Sequence, residues 1–515
     1  MESRTQNSLR NIKHALLNAL ITAVIPFITR TVFIRILGRD YLGIDAVFLN
    51  IINLIEIVNI GIGSAITYSA YKPIADRDID RCRTLFRLYR NCYYAMGGVV
   101  LAIGVVLVPF LDVILKNKPN IPENTTLIYL IILSGVVSFY FVADKQCVIN
   151  AHQKNYMVTR IRTIVVTIIN LVEIALLFLT RNYMVYLILQ TSQNIIIYSL
   201  VYIKAIQSYP EYFRRGKVNK LAQEDREVIV KNTVALIFNR AGSLLINCTD
   251  NIIIASFVGV VSSGLYSNYL VIKNILNTFT SLFTQSLTAS IGNLNAEGNK
   301  TRLNEIFDQV YFINYMIHAF CSICFFCLIE PFIQLWVGDS YCMGLGVAAI
   351  VTVNFYILGI QKTAEQFKAA CGLYWQDRFR VFIEAILNLI ISIILVQRLG
   401  VLGVLLGTFI SDVLVTFWVE PLIVFRHALR RSVIPFYGKT ILYFLMTGGL
   451  ACLIHLLNEM LFAGTGGVLW FGCRLIVTCI STVLSLCLIF FRNRQFRVAY
   501  RMGIHQLMGM TPRRR

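Results

Sequence analysis

The chain has 515 residues, of which 57% are hydrophobic and 14% charged, and its mean hydropathy is +0.67. A soluble domain of this length would not gather its apolar residues into long blocks, and blocks without two-residue alternation do not suit barrel strands. The net charge of +20 does not call for nucleic acid, because the basic residues sit at loops and termini in a pattern set by membrane orientation.

Fourteen apolar stretches are predicted as transmembrane helices: 11–37, 41–70, 90–115, 126–149, 158–180, 183–205, 231–258, 264–291, 306–330, 342–371, 378–397, 401–426, 436–459 and 467–491. Each is long enough to cross a hydrocarbon core of roughly 30 Å. The first follows Arg4, Arg10 and Lys13 as a signal peptide would. It is too long, carries Arg30 and lacks a small-residue cleavage site, so it is read as a retained helix. Most Lys and Arg fall at the two termini and in every second loop. The other loops hold only Arg39, Lys116, Lys118, Arg181 and Arg398. Basic loops resist translocation, so both termini are expected in the cytoplasm. The longest soluble piece is the basic loop 206–230, with Arg214, Arg215, Lys217, Lys220 and Arg226. The basic tail from Arg492 to Arg515 suits anionic membrane lipids.

The chain repeats itself. At an offset of 221 residues, Gly38 and Gly43 align with Gly259 and Gly264, and Leu49 and Asn53 with Leu270 and Asn274. The same register pairs Asp76, Arg81 and Phe86 with Glu297, Arg302 and Phe307. At 218, Arg160, Arg162 and Asn170 align with Arg378, Arg380 and Asn388. Matches held across two loops and several helices indicate duplication. Six helices per copy is an even number, so the copies are parallel in the membrane. The expected fold is an all-α polytopic membrane protein: fourteen transmembrane helices, as two parallel six-helix repeats plus two C-terminal helices. The expected divisions are an N-lobe 1–205, a linker 206–230, a C-lobe 231–426, and helices thirteen and fourteen with the tail, 427–515. Duplicated transporters place substrate between their repeats.

Ionisable groups at membrane depth cost several kcal/mol and usually face protein or a water-filled cavity. Helix one carries Arg30, helix two Glu56, helix seven Arg240 and Asp250, and helix eight Lys273. Clustered on the first two helices of both repeats, three cations suit an anionic group such as a diphosphate. Arg30, Arg240 and Lys273 are therefore the substrate candidates, and Glu56 and Asp250 the polar or coupling candidates. Snorkelling and structural ion pairing are the plainer alternatives. Arg35 lies near a helix end, where snorkelling explains it. Glu173, Glu384, Asp412, His318 and His455 are weaker polar positions. Asp76, Asp78 and Asp80 resemble a glycosyltransferase carboxylate series, but their repeat partners Glu297, Asn299 and Thr301 do not keep it. The thirteen Cys imply no disulfide framework. Cys321, Cys324 and Cys327 fall on one side of a helix and read as packing residues. No phosphate loop, metal set or catalytic triad stands out, so no metal or cofactor is expected.

The passage Thr29 to Ile66, its second copy Asp250 to Leu276, and the basic stretch from Arg378 to Arg380 resemble the polysaccharide-transporter family of lipid-linked oligosaccharide flippases. That family is part of a superfamily with multidrug exporters and lipid II flippases. The resemblance extends over the whole chain. It implies a V-shaped pair of lobes around a cationic cavity, with Arg30, Arg240 and Lys273 matching by helix and depth. It further implies flipping of undecaprenyl-diphosphate-linked oligosaccharide repeat units, for capsule, O-antigen or exopolysaccharide, from inner to outer leaflet by alternating access. A proton or sodium gradient, or the membrane potential, is the implied energy source. The implied partners are the lipid-linked substrate, membrane lipids, and a polysaccharide polymerase and glycosyltransferases. The chain is expected to work as a monomer in a bacterial inner membrane. The competing readings are a lipid II flippase, a cation-coupled multidrug exporter, and an integral-membrane glycosyltransferase or polymerase. Cations outnumber acids among the intramembrane candidates, which disfavours a drug exporter. Short outer loops disfavour the enzyme.

Overall fold

The computed structural model describes residues 24–56, 62–115, 121–152, 154–213, 248–296, 299–373, 376–377, 379–493 and 495–497. Side chains at 62, 64, 65, 68, 72, 75, 282–290, 293 and 296 are outside this description. Nearly all described residues are helical. In chain order the helices are α1 (24–37), α2 (Arg39–Ile55), α3 (Ile62–Ala75), α4 (Ile79–Leu107), α5 (Leu111–Ile114), α6 (Thr125–Tyr140) and α7 (Ala143–Ala151). Then come α8 (Asn155–Thr180), α9 (Tyr183–Ser208), α10 (Pro210–Phe213), α11 (Cys248–Phe257), α12 (Val260–Ala296) and α13 (Lys300–Val337). The rest are α14 (Leu345–Ala370), α15 (Arg380–Leu399), α16 (Val401–Leu414), α17 (Thr416–Val424), α18 (Ile434–Phe462) and α19 (Val468–Phe490). Each of the fourteen apolar stretches falls on helix, wholly or in part. Among the described residues, nine helical segments are long and apolar enough to span a bilayer, or ten if α6 and α7, bent by 45°, count as one. The fold is all-α and polytopic.

Local chemistry explains the ends of these helices. Asn124 Oδ1 accepts from the backbone N–H of Thr126 at 2.8 Å and caps α6. Asn182 Oδ1 does the same for α9 through Met184. Such caps satisfy N–H groups that the first helical turn leaves without partners.

The duplication is visible in these details. Asp78 Oδ1 accepts from Arg81 N at 2.9 Å to start α4, and Asn299 Oδ1 accepts from Arg302 N at 3.0 Å to start α13. These positions are 221 residues apart. Gly38 and Gly259 break the chain at equivalent points with φ of +84° and +144°, a region that favours glycine. Asn170 on α8 donates to Gln193 Oε1 on α9 at 3.4 Å, and Asn388 on α15 donates to Thr408 Oγ1 on α16 at 2.9 Å. Each pair ties two consecutive helices with the same type of polar clasp.

The chain forms two compact units, Met1–Gly264 and Leu265–Arg515. In the first, α3, α4, α6, α7 and α9 pack on one another, and α8 lies along α9. Phe48 and Tyr129 meet with ring centroids 5.5 Å apart, and Tyr129 Oη donates to the Gly104 carbonyl at 3.1 Å. Gly43 and Gly264 approach backbone to backbone: a Cβ added at Gly43 would lie 2.5 Å from the Val260 carbonyl oxygen, and one at Gly264 2.7 Å from Gly43 N. Small residues permit this closeness between membrane helices.

In the second unit α13 and α14 form the centre. Their apolar windows are 61% and 67% buried, against 22% for α18 and α19. Phe307, Tyr311, Phe312, Tyr315, Phe367, Tyr443 and Phe490 form the core, and Tyr315 and Tyr443 stack at 3.9 Å. The two helices without a repeat partner, α18 and α19, therefore dock on α13. Their outer faces expose Leu442, Leu445, Leu453, Leu456 and Met460, and Ile480, Leu484 and Leu488. In water this would be an untenable apolar surface, whereas in hydrocarbon it carries no penalty.

Candidate functional site

The sequence candidates are unevenly placed. Arg30 lies on α1, half-buried, with Asp45 of α2 and Tyr186 of α9 as electrostatic neighbours. Glu56 ends α2 beside Tyr140 and Tyr198. Asp250 is buried on α11 near Cys248, and the adjacent Asn251 accepts from Ser263 Oγ at 3.2 Å. Lys273 is half-buried on α12, in the second unit. Arg240 lies outside the described residues.

Arg30 enters a polar group that the sequence reading missed in part. Asp45 is 8% exposed and Glu173 of α8 is 3% exposed, and the two interact electrostatically. Aromatic rings close the same region: Phe33 lies 4.8 Å from Tyr186, and Tyr41 lies 4.7 Å from Tyr183. Tyr41 Oη donates to Glu123 Oε2 at 2.7 Å. The first unit thus sets the Arg30 guanidinium beside the buried Asp45 and Tyr186, with Glu173 next to both of these. Asp45 was legible as an acid inside the apolar run Leu42–Ile52. Its relation to Arg30 was not, because it depends on how α1 and α2 turn about Gly38.

Three basic residues within the predicted spans 126–149 and 342–371, which the sequence reading did not single out, lie inside helices. Lys145 sits on α7, buried, 2.9 Å from Asp144 Oδ2 and over the Tyr202 ring at 5.0 Å. Lys362 and Glu365 pair at 2.5 Å on α14, each side chain 48% exposed within a candidate span. An ion pair exposed at that position is tolerable where water reaches it and costly against lipid.

Lys368 is the third, and it anchors the largest charge network among the described residues. Its Nζ binds Glu420 Oε1 of α17 at 2.5 Å and also Asp377 Oδ2 in the loop before α15. Arg380, the first residue of α15, donates from Nε to Asp377 Oδ1 at 2.7 Å. From Nη1 it donates to Thr416 Oγ1 at 2.5 Å and to Glu384 Oε2 at 3.3 Å. Thr416 in turn donates to Glu384. The network gathers because α14 ends, α15 begins and the membrane helix containing α16 and α17 breaks at the same end of the bundle. The break lies at Val415, with φ −117° and ψ −71°. Pro421 and a π-turn at Phe425–Leu429 follow it. Asp412 stands just before the break and accepts from Gln361 Nε2 at 2.9 Å. The sequence had marked Arg380, Glu384 and Asp412 separately, with no sign that they meet. Among the described residues, no group of three or more His, Cys, Asp or Glu side chains could hold a metal ion.

Charged groups placed on bundled spanning helices, with an apolar outer face, define a multi-pass membrane protein. The fold is similar to that of lipid II flippase MurJ in its inward closed conformation, with a TM-score of 0.65 at 13% identity over 93% of this chain and 99% of that one. It is also similar to an inward-facing multidrug resistance MATE family transporter of the MOP superfamily: TM-score 0.61, 12% identity, 78% of this chain and 94% of that one. A MOP superfamily transporter from Pyrococcus furiosus, described by the reverse polarity of its binding pocket, gives a TM-score of 0.53 at 11% identity over 81% of this chain and 95% of that one. Among curated proteins, none matches the sequence. The chain belongs to the polysaccharide biosynthesis protein family, which it matches over residues 8–291.

Proposed function

We propose that this protein flips undecaprenyl-diphosphate-linked oligosaccharide repeat units from the inner to the outer leaflet, by alternating access, for surface polysaccharide synthesis. One observation carries the reading. Membership of a polysaccharide biosynthesis family joins here to a fold that, in a relative of known structure, belongs to a flippase of lipid II. A lipid-linked sugar carries two phosphates that must leave one polar surface and reach the other. Cations inside the membrane lower the cost of that crossing, and Arg30 and Lys273 lie within helices of this fold, with Arg240 on a predicted span. The tail remains in lipid while the head group passes. In this reading basic loops and both termini face the cytoplasm, the partners are a polymerase and glycosyltransferases, and an ion gradient or the membrane potential supplies the energy. Glu56 and Asp250 are the coupling candidates.

The test is reconstitution in liposomes with a fluorescent undecaprenyl-diphosphate oligosaccharide and a membrane-impermeant quencher. Wild type should equilibrate the label between leaflets, and Arg30→Ala, Arg240→Ala and Lys273→Ala should each slow it about tenfold or more, as loss of a charge-assisted contact implies. Three variants that flip at the wild-type rate would refute the cationic route. Fluorescent lipid II and a cationic drug, supplied to the same vesicles, separate the transport alternatives. Elongated sugar products would instead indicate an enzyme.

A further inference from the structure

The network around Lys368 and Arg380 has an unbalanced charge. Asp377, Glu384, Asp412 and Glu420 are 1%, 5%, 4% and 2% exposed, so four buried carboxylates face two cations. Both cations are fully engaged. Lys368 binds Asp377 and Glu420, and Arg380 binds Asp377, Glu384 and Thr416 and lies 3.6 Å from Glu420. The neighbouring Lys362 is paired with Glu365. Asp412 receives no direct cation. Its Oδ2 accepts from the neutral amide of Gln361, and its Oδ1 is buried without a hydrogen-bond partner. Its electrostatic neighbours are Glu384, Arg380 and Glu420, two of them acids. The groups that face it are Gln361 of α14, Arg380 and Glu384 of α15, and Glu420 of α17, and Lys368, Asp377 and Thr416 belong to the network that holds those groups.

An ionised carboxylate buried without a cation costs several kcal/mol, and an acidic neighbour adds repulsion. A proton removes both costs and supplies an O–H donor. The same residues provide no metal-binding set. We propose that Asp412 is a proton-binding site, neutral in the conformation described, and that loss of its proton loosens the break between α16 and α17. The second part follows from position. Asp412 precedes Val415, and Thr416 and Glu420 follow it, so an ionised Asp412 is set against Glu420 across the break in the helix and against Glu384 of the neighbouring α15. The site stands whichever substrate the protein moves.

Two measurements on the full chain in lipid nanodiscs test the proposal, and neither uses transport. Infrared spectra should show the carbonyl stretch of a protonated carboxyl group at neutral pH, reduced by one group in Asp412→Asn and unchanged in Glu305→Gln. Gln361→Leu should keep that band but move it to higher frequency, because the carbonyl loses its hydrogen bond. Hydrogen exchange in the segment 410–425 should accelerate with rising pH, beyond the intrinsic base-catalysed increase, in wild type and not in Asp412→Asn. An Asp412→Asn spectrum that retains the full band overturns the proton site, as does a Gln361→Leu spectrum without a shift. Equal corrected exchange in wild type at low and high pH overturns the link to the break.

Discussion

Removing Lys368 tests whether burial, rather than the mere presence of an ion pair, holds the second unit together. Lys368 and Glu420 meet at 2.5 Å with side chains 5% and 3% exposed. Arg302 and Glu305 meet at 3.0 Å with side chains 55% and 50% exposed. The two pairs are alike in contact and unlike in solvation. An exposed pair contributes about 0–1 kcal/mol, because water and salt screen it and long side chains lose entropy. Taking one partner from a buried pair costs about 3–5 kcal/mol, because the other charge stays behind without solvation. Lys368→Met leaves Asp377 and Glu420 with Arg380 as their common cation. Glu305→Gln is the control. The assay is the apparent melting temperature in lipid or detergent, followed by intrinsic fluorescence at fixed pH and lipid content. Lys368→Met should melt well below wild type and Glu305→Gln within a degree or so of it, in keeping with about 2–4 °C per kcal/mol for mid-sized domains and less for larger ones. Adding Glu420→Gln to Lys368→Met should recover part of the loss, because the stranded acid is gone, although the same change in wild type is destabilising. If Lys368→Met melts no lower than Glu305→Gln, the network is not a stabilising element and the reasoning from burial fails.

Gly43→Leu should lower membrane abundance and cost about 1–3 kcal/mol, because its Cβ would meet the Val260 carbonyl oxygen at 2.5 Å and backbone does not yield cheaply. Gly98→Ala, whose Cβ meets nothing within 4 Å, should be neutral in the same abundance assay. Arg30→Ala should reduce abundance as well as flipping, since it strips Asp45 of a nearby cation; Arg30→Ala with Asp45→Asn should restore abundance and leave flipping low, as read by quantitative blotting beside the vesicle assay. Asn388→Ala should cost about 1–2 kcal/mol of thermal stability through the lost clasp to Thr408, whereas Asn388→Gln should lose nearly as much because its longer amide misses the 2.9 Å contact.

Hydropathy is a local property, and so the all-helical fold was already legible in the sequence. A block of apolar residues with no water to satisfy its backbone must close its hydrogen bonds within the helix, whatever its neighbours do. The repeat was legible for the same reason: a cap such as Asp78 or Asn299 and a left-handed break such as Gly38 or Gly259 are set by a few adjacent residues. Which charges meet was decided by packing. Lys368, Asp377, Arg380 and Glu420 span 52 positions and come together only because the end of α14, the start of α15 and the helix break before α17 meet. The sequence places Lys368 near the end of the predicted span 342–371 and names no partner for it. In the folded chain it is enclosed, and the energy of a charge depends on its distance from water and from its counterion, neither of which is a property of sequence neighbours.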